Sequence, residues 1–184
     1  MAVALGSNLS MVTLSCHPIY GAGKAYQDLT TTFCRREASQ ERKEILLGMK
    51  KRGFGVGKWN GFGGKLEAGE SVEQAAIREL REESQIKCTQ LKKVGLLLFT
   101  LDSYPKIMRM HVFEAVNYEG EPQETDEMRP QWFDERNIPF QEMWADDTYW
   151  MPLLLKGQCF QGEFNYGDEN TVLRHVLHEV EEVE

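Results

Sequence analysis

The chain has no excess of positive charge: 21 lysines and arginines stand against 29 aspartates and glutamates in 184 residues, a net charge of −8. A surface of that sign repels the phosphates of duplex DNA or RNA, so no nucleic-acid polymer is expected as a partner. A free nucleotide is a different case, because a bound cation screens its phosphates. No apolar run approaches the ~18 residues that a spanning helix needs, and no membrane partner is expected. Cysteine is scarce. Cys16, Cys34, Cys88 and Cys159 lack paired metal-binding spacing and read as reduced thiols of a cytosolic protein. Residues 1–6 are apolar but have neither a basic flank nor a long apolar stretch, so no signal peptide is expected and the sequon at Asn8 carries no role. GxSxG, a Walker lysine and HExxH are missing as well.

What the chain does have is a concentration of carboxylates. Residues 64–86, GKLEAGESVEQAAIRELREESQI, place Arg78, Glu79, Glu82 and Glu83 within two turns of one expected helix. At about 100° per residue, the three glutamates share about 100° of a single face. The i,i+4 pair Glu79 and Glu83 would cost an isolated helix about 0.2–0.5 kcal/mol. A divalent cation would neutralise them, and oxygen-only ligands suit Mg²⁺ or Mn²⁺ rather than zinc or copper. Glu-rich faces are ordinarily solvated surface, but the context argues otherwise. A turn containing Gly61, Gly63 and Gly64 leads into the segment, Glu70 precedes Arg78 by eight residues, and Ser71 with Gln74 forms a capping box. This reads as a metal-dependent enzyme acting on phosphates.

The arrangement resembles the Nudix box, G-x5-E-x7-R-E-U-x-E-E-x-G-U, where U is bulky and aliphatic. Gly64, Glu70, Arg78, Glu79, Leu80, Glu82, Glu83 and Ile86 match it, and Gln85 stands where the family has glycine. Outside the box, residues 48–65, 126–133 and 143–155 are similar to the vertebrate MutT-type branch, which removes oxidised purine nucleoside triphosphates. The similarity runs from about residue 45 to 180.

The resemblance implies an α/β fold, an α/β/α sandwich around a mixed sheet. It implies a Mg²⁺-dependent pyrophosphohydrolase, with Mn²⁺ as an alternative metal, that cleaves 8-oxo-dGTP, 2-hydroxy-dATP and relatives to the monophosphate and pyrophosphate. The protein would be a monomer in the cytoplasm, with nuclear and mitochondrial pools. Carried over by motif position, Glu79, Glu82, Glu83, Glu127 and the Gly63 carbonyl hold metal. Glu83 is the first choice for general base or for orienting water, and Arg78 positions the glutamates, with Glu70 as a partner. Lys50, Lys65 and the segment Phe62, Gly63 and Gly64 face substrate. The base pocket draws on Phe54, Asn60, Phe99, Met108, Met128, Trp144, Asp146, Asp147, Trp150 and Tyr166, with core packing the competing role for Phe99 and Met108. If Asp146 and Asp147 share a low-dielectric pocket, one stays protonated. Moving that proton would let one site match two oxidised purines.

Along the chain, residues 45–49, 93–101 and 108–116 read as strands, 50–58 as a glycine-rich loop and 134–144 as turn-rich. Asp146 or Asp147 caps a second helix that ends before Gly157. Residues 172–180 follow a helical spacing too short to settle. The first strand is in doubt, because residues 35–44, RREASQERKE, suit a buried strand poorly. Residues 11–16 or 29–34 would substitute, with Thr13, Thr31 or Thr32 inward, or the strand is missing. The expected organisation is a divergent, disordered segment at 1–44 and a Nudix domain at 45–184. Two other readings stay open: a Nudix enzyme for another nucleoside diphosphate derivative, and a nucleotide-binding protein with impaired turnover, suggested by Gln85.

Overall fold

The computed structural model describes residues 23–183; the strand candidate at 11–16, with Thr13, lies outside them. Eight strands form one mixed sheet in the order β3-β2-β1-β5-β4-β7-β8, with β6 pairing β2. The strands are β1 (Tyr26–Ser39), β2 (Arg42–Lys50), β3 (Trp59–Asn60), β4 (Lys87–Leu101), β5 (Ile107–Glu119), β6 (Met128–Asp134), β7 (Cys159–Asp168) and β8 (Thr171–Val180). Helix α1 (Val72–Ser84) lies before β4 and α2 (Asp147–Leu155) before β7. The β1–β5 and β4–β7 pairs are parallel, and the others antiparallel. No helix among the described residues is long and apolar enough to cross a membrane.

Strand alternation builds a core on each face. Phe33, Ile45 and Leu47 point with Leu97, Val112, Phe160 and Phe164 toward Trp150, Met151 and Leu154 of α2. Their neighbours Cys34 and Leu46 point the other way, with Phe62, Ile86 and Ala115 against Leu80 of α1. The thiols of Cys34 and Cys88 are both buried here, and loss of hydration pushes both above the ordinary cysteine range. Two apolar cores on opposite faces of one sheet make the expected sandwich.

The first strand is present, which corrects the doubt raised by its charges. Thr31, Thr32, Phe33 and Cys34 form its buried middle, as the 29–34 alternative requires, while Glu37–Ser39 run out to the exposed hairpin end. The half-buried charge among them, Arg35, is matched by Glu135 and Glu114. Residues 26–44 therefore belong to the sheet, and residue 45 lies inside β2. Residues 172–180, whose spacing also fits a helix, form the edge strand β8. There His175 faces Phe164 in register and packs against its ring at 5.6 Å, a contact no helix wheel shows.

Helix α1 starts where the capping box puts it: Ser71 Oγ accepts from the Gln74 amide at 3.2 Å and Gln74 Oε1 accepts from the Ser71 amide at 2.8 Å. It stops at Gln85, which is left-handed at φ 64° and ψ 5°. A side chain there carries a steric cost of about 1–2 kcal/mol, partly offset by the extra freedom glycine has when unfolded. Gln85→Gly is therefore expected to stabilise the protein by about 1 kcal/mol. Chemical denaturation reads this as a higher midpoint at unchanged m; a lower midpoint would mean that the Gln85 Nε2 bond to the Arg81 carbonyl, at 3.2 Å, outweighs the strain.

Candidate active site

The glycine-rich segment after β3 is where the two halves of the site meet. Strand β1 pairs with β2 only from Cys34 onward, and its earlier half pairs with the segment instead: Thr30 N donates to Gly64 O at 2.9 Å and Thr32 N to Phe62 O at 2.7 Å. The approach is too close for a side chain, since a Cβ on Gly63 would sit 2.0 Å from the Thr30 carbonyl oxygen. On its other side, a Cβ on Gly64 would meet the Glu79 carboxylate at 2.5 Å. Glycine is needed there so that backbone can lie between β1 and the acidic face of α1.

That face is positioned by the buried residues Ala75, Ala76 and Leu80. Glu83 comes inward and is only 2% exposed. Its Oε1 accepts from Lys50 Nζ at 2.9 Å and its Oε2 from the Gly63 amide at 2.9 Å. Burial raises its pKa, against the pull of Lys50. Burial likewise raises Glu79. Arg78 spreads its fork over three carboxylates: Nε and Nη2 reach Glu70 at 2.7 and 2.9 Å, and Nη1 reaches Glu79 at 2.9 Å and Glu82 at 3.2 Å. The Arg78 hydrogen bonds hold Glu70 down to about 2. Such a planar, five-donor group orders carboxylates in a way a lysine cannot. Glu127, just before β6, is bound by Arg52 and lies 3.5 Å from Lys50 Nζ. The Arg52 hydrogen bond lowers its pKa.

Among the described residues, no group of three or more His, Cys, Asp or Glu side chains is gathered in metal-ligand geometry. The acids expected as ligands are instead spread over Arg78, Lys50 and Arg52. Gly63 holds Glu83 through its amide. The donor set nevertheless fits a hard cation. Lys50 Nζ occupies a point within hydrogen-bonding reach of both Glu83 and Glu127, so one positive charge already bridges helix and strand there.

A cleft of about 520 Å³ runs from this cluster to the start of α2. Lys50, Phe54, Asn60, Gly63, Gly64, Lys65, Phe99, Met108, Met128, Trp144, Asp146, Asp147, Trp150 and Tyr166 all line it. Phe62 does not. It alternates away from the cleft into the α1 core, fully buried with Cys34 and Leu80, so its assignment to substrate is corrected to packing. Asn60 Oδ1 already accepts from the Gly61 amide at 2.7 Å, which leaves its amide nitrogen for a ligand. At the mouth, the exposed Phe54 ring stacks on Trp144 at 5.0 Å, and Lys58 lies over the same indole at 5.0 Å.

The floor is the acid pair. Asp146 accepts from the Trp150 indole at 2.7 Å and from the Tyr166 hydroxyl. Asp147 Oδ2 accepts from the Trp144 amide at 2.9 Å. Both carboxyls are buried, and burial raises both pKa values; the neighbouring charge of Asp146 raises Asp147 further. Asp146 accepts from two side-chain donors and Asp147 from one backbone N–H, and the Asp146 charge opposes ionisation of Asp147, so Asp147 is the better seat for a proton.

Sequence reading missed several cleft residues. Leu97 and Met110 line it two positions from Phe99 and Met108, as strand alternation would have indicated. Thr31, one of the inward candidates, lines it with a buried hydroxyl that has no protein partner. Lys58 also lines it, with no signal to separate it from loop lysines.

Comparison with known proteins agrees with this geometry. The NUDIX domain model matches residues 32–154. The chain is 54% identical over 139 residues to the oxidized purine nucleoside triphosphate hydrolase of Danio rerio, covering 76% of this chain and 89% of that one. It is 50% identical over 139 residues to the protein of the same name from Mus musculus, with the same coverage. Among solved structures, the mutator MutT protein of Bacillus halodurans superposes with a TM-score of 0.69 at 25% identity, over 82% of this chain and 97% of that one. A box with one substitution, the mixed sheet between helices, the carboxylates clasped by Arg78 and these relatives agree: the chain belongs to the Nudix family.

Proposed function

We propose that the protein is a pyrophosphohydrolase of oxidised purine nucleoside triphosphates, 8-oxo-dGTP and 2-hydroxy-dATP among them, acting as a monomer on free nucleotides. The observation that carries this reading is one cleft with a buried acid pair between aromatic faces at one end and, at the other, Lys50, whose ammonium is held by Glu83 and Glu127 behind the cleft wall. The names of the Danio rerio and Mus musculus relatives support it.

At the base end, ionised Asp146 is held by donors, while Asp147, carrying the proton, meets the purine edge. The proton can pass to Asp146, so the pair offers either a donor or an acceptor to the ligand. That suits 8-oxoguanine and 2-oxo-adenine, which present different edges. Phe54, Phe99 and Trp144 supply apolar faces beside the base. At the phosphate end, Lys50 and Lys65 take phosphate oxygens.

Nudix enzymes typically depend on a divalent metal, and here Glu79, Glu82, Glu83, Glu127 and the Gly63 carbonyl would hold Mg²⁺ or Mn²⁺. When bound, such an ion neutralises phosphate charge and lowers the pKa of water. Glu83 accepts the proton of the attacking water. Arg78, anchored on Glu70, keeps Glu79 and Glu82 in place. Attack at a bridging phosphorus then yields the monophosphate and pyrophosphate.

Pyrophosphate release with Mg²⁺ from 8-oxo-dGTP, dGTP and ADP-ribose provides the test. Preferential turnover of 8-oxo-dGTP is expected. Equal or faster cleavage of ADP-ribose, or binding without turnover, would sink the proposal.

A further inference from the structure

The charged run that argues against a first strand contains a guanidinium that the fold buries to 15% exposure. Arg35 spends every donor it has. Its Nε and Nη2 hold Glu135 at 2.7 and 3.2 Å, and Nη1 reaches Glu114 at 3.3 Å. The remaining bonds go to main chain: Nη1 to the Leu154 carbonyl at 3.2 Å and Nη2 to the Leu155 carbonyl at 2.8 Å. Those carbonyls close α2, whose other end carries Asp146 as N-cap and Asp147 as first residue.

A helix leaves its last carbonyls without internal partners. In α2 the amides of Lys156 and Gly157 reach the Leu154 carbonyl, and the Leu155 carbonyl takes Arg35. Pro152 lies inside the helix and contributes no N–H, so α2 is one rung short and leans on outside bonds. The charges agree with the helix dipole, acids at the N-terminus and a cation at the C-terminus. Trp150, Met151 and Leu154 bury α2 against the sheet, and Tyr166 of β7 holds Asp146 at its N-terminal end. At the C-terminal end the directional hold is the five-donor fork of Arg35, anchored on β5 and on the chain after β6.

We infer that Arg35 is a positioning residue for the base pocket: by gripping the Leu154 and Leu155 carbonyls from Glu114 and Glu135, it fixes how far α2 carries Asp146 and Asp147 into the cleft. The inference rests on the proposed function for the identity of the ligand. It gives the half-buried charge in β1 a task at a distance from the nucleotide.

The test compares the wild type with Arg35→Met and Arg35→Lys. It reads KM and kcat for 8-oxo-dGTP, calorimetric affinity for 8-oxo-dGMP, and Mn²⁺ affinity by electron paramagnetic resonance. For Arg35→Met, KM and the dissociation constant of 8-oxo-dGMP are expected to rise about tenfold, within the loss that an ångström of misplacement brings, with kcat within about threefold. Mn²⁺ affinity stays unchanged, because the carboxylates of α1 do not lean on α2. Arg35→Lys recovers part of the loss, since an ammonium can still reach one carbonyl. If Arg35→Met does not fold, Arg35→Lys carries the test alone, and raised KM with unchanged Mn²⁺ affinity supports the inference. Affinities equal to wild type in folded variants, or Mn²⁺ affinity and kcat falling together with base affinity, overturn it. A wild-type protein that neither binds 8-oxo-dGMP nor cleaves 8-oxo-dGTP overturns the proposed function instead, a result visible before any variant is made.

Discussion

Glu83→Gln is expected to keep the fold and lose about 10²- to 10⁴-fold in turnover, the usual cost of removing a general base. The amide matches the carboxylate in size, and its oxygen can still accept from the Gly63 amide, as Oε2 does at 2.9 Å. It cannot take a proton, and it binds a hard cation weakly. Lys50 would keep Glu127 within 3.5 Å, so the ammonium is not left without a counter-charge. Single-turnover measurement at saturating 8-oxo-dGTP, with thermal unfolding as the control for folding, decides the matter. Near-normal hydrolysis would move the base to Glu79 or Glu127.

Asp147→Asn is expected to separate binding from stability. Its amide oxygen can keep the Trp144 N–H, which leaves the NH₂ facing the cleft as a permanent donor. A guanine-type edge with its own N–H groups then loses an acceptor, a charge-assisted bond worth about 1.5–3 kcal/mol, or about ten- to a hundredfold in affinity. Calorimetry with 8-oxo-dGMP tests this, and an unchanged affinity would refute the two-carboxyl account. Stability should move the other way. The folded pKa of Asp147 is raised, so between the unfolded value and the raised one the native state holds the extra proton. In that window stability falls as pH rises. The carboxyl is therefore a burden at neutral pH that the amide removes. The variant should melt higher at neutral pH, and the gain should shrink below the ordinary aspartate pKa of 3.8.

Local signals were legible where local chemistry decides the structure. The Ser71 and Gln74 pair marks the start of α1, and the glycine missing at Gln85 marks a left-handed residue, because both are properties of a few adjacent residues. The aromatic and acidic cluster around Trp144 was recognisable because adjacent acids between tryptophans need a polar reason. What escaped was set by distant partners. Arg35 reads as surface until Glu114, Glu135 and the end of α2 are known, and those lie 79 to 120 residues away. Phe62 reads as part of a substrate loop until β1 fixes which way the extended segment alternates. Residues 172–180 carry a spacing that either element satisfies, and only pairing with β7 chooses the strand.

The two thiols enclosed in the α1 core acquire a second meaning in the setting where such an enzyme would be needed. Oxidised nucleotides accumulate when peroxide does, and peroxide attacks cysteine through the thiolate. Cys34 has no exposed surface, and burial keeps its sulfur protonated; Cys88 is nearly as enclosed and is shifted the same way. With so little thiolate, these two sulfurs offer peroxide a poor nucleophile for the first rung of damage, the sulfenic acid. The packing that holds α1 on the sheet therefore also shields Cys34 and Cys88 from the oxidant that generates the enzyme's substrates.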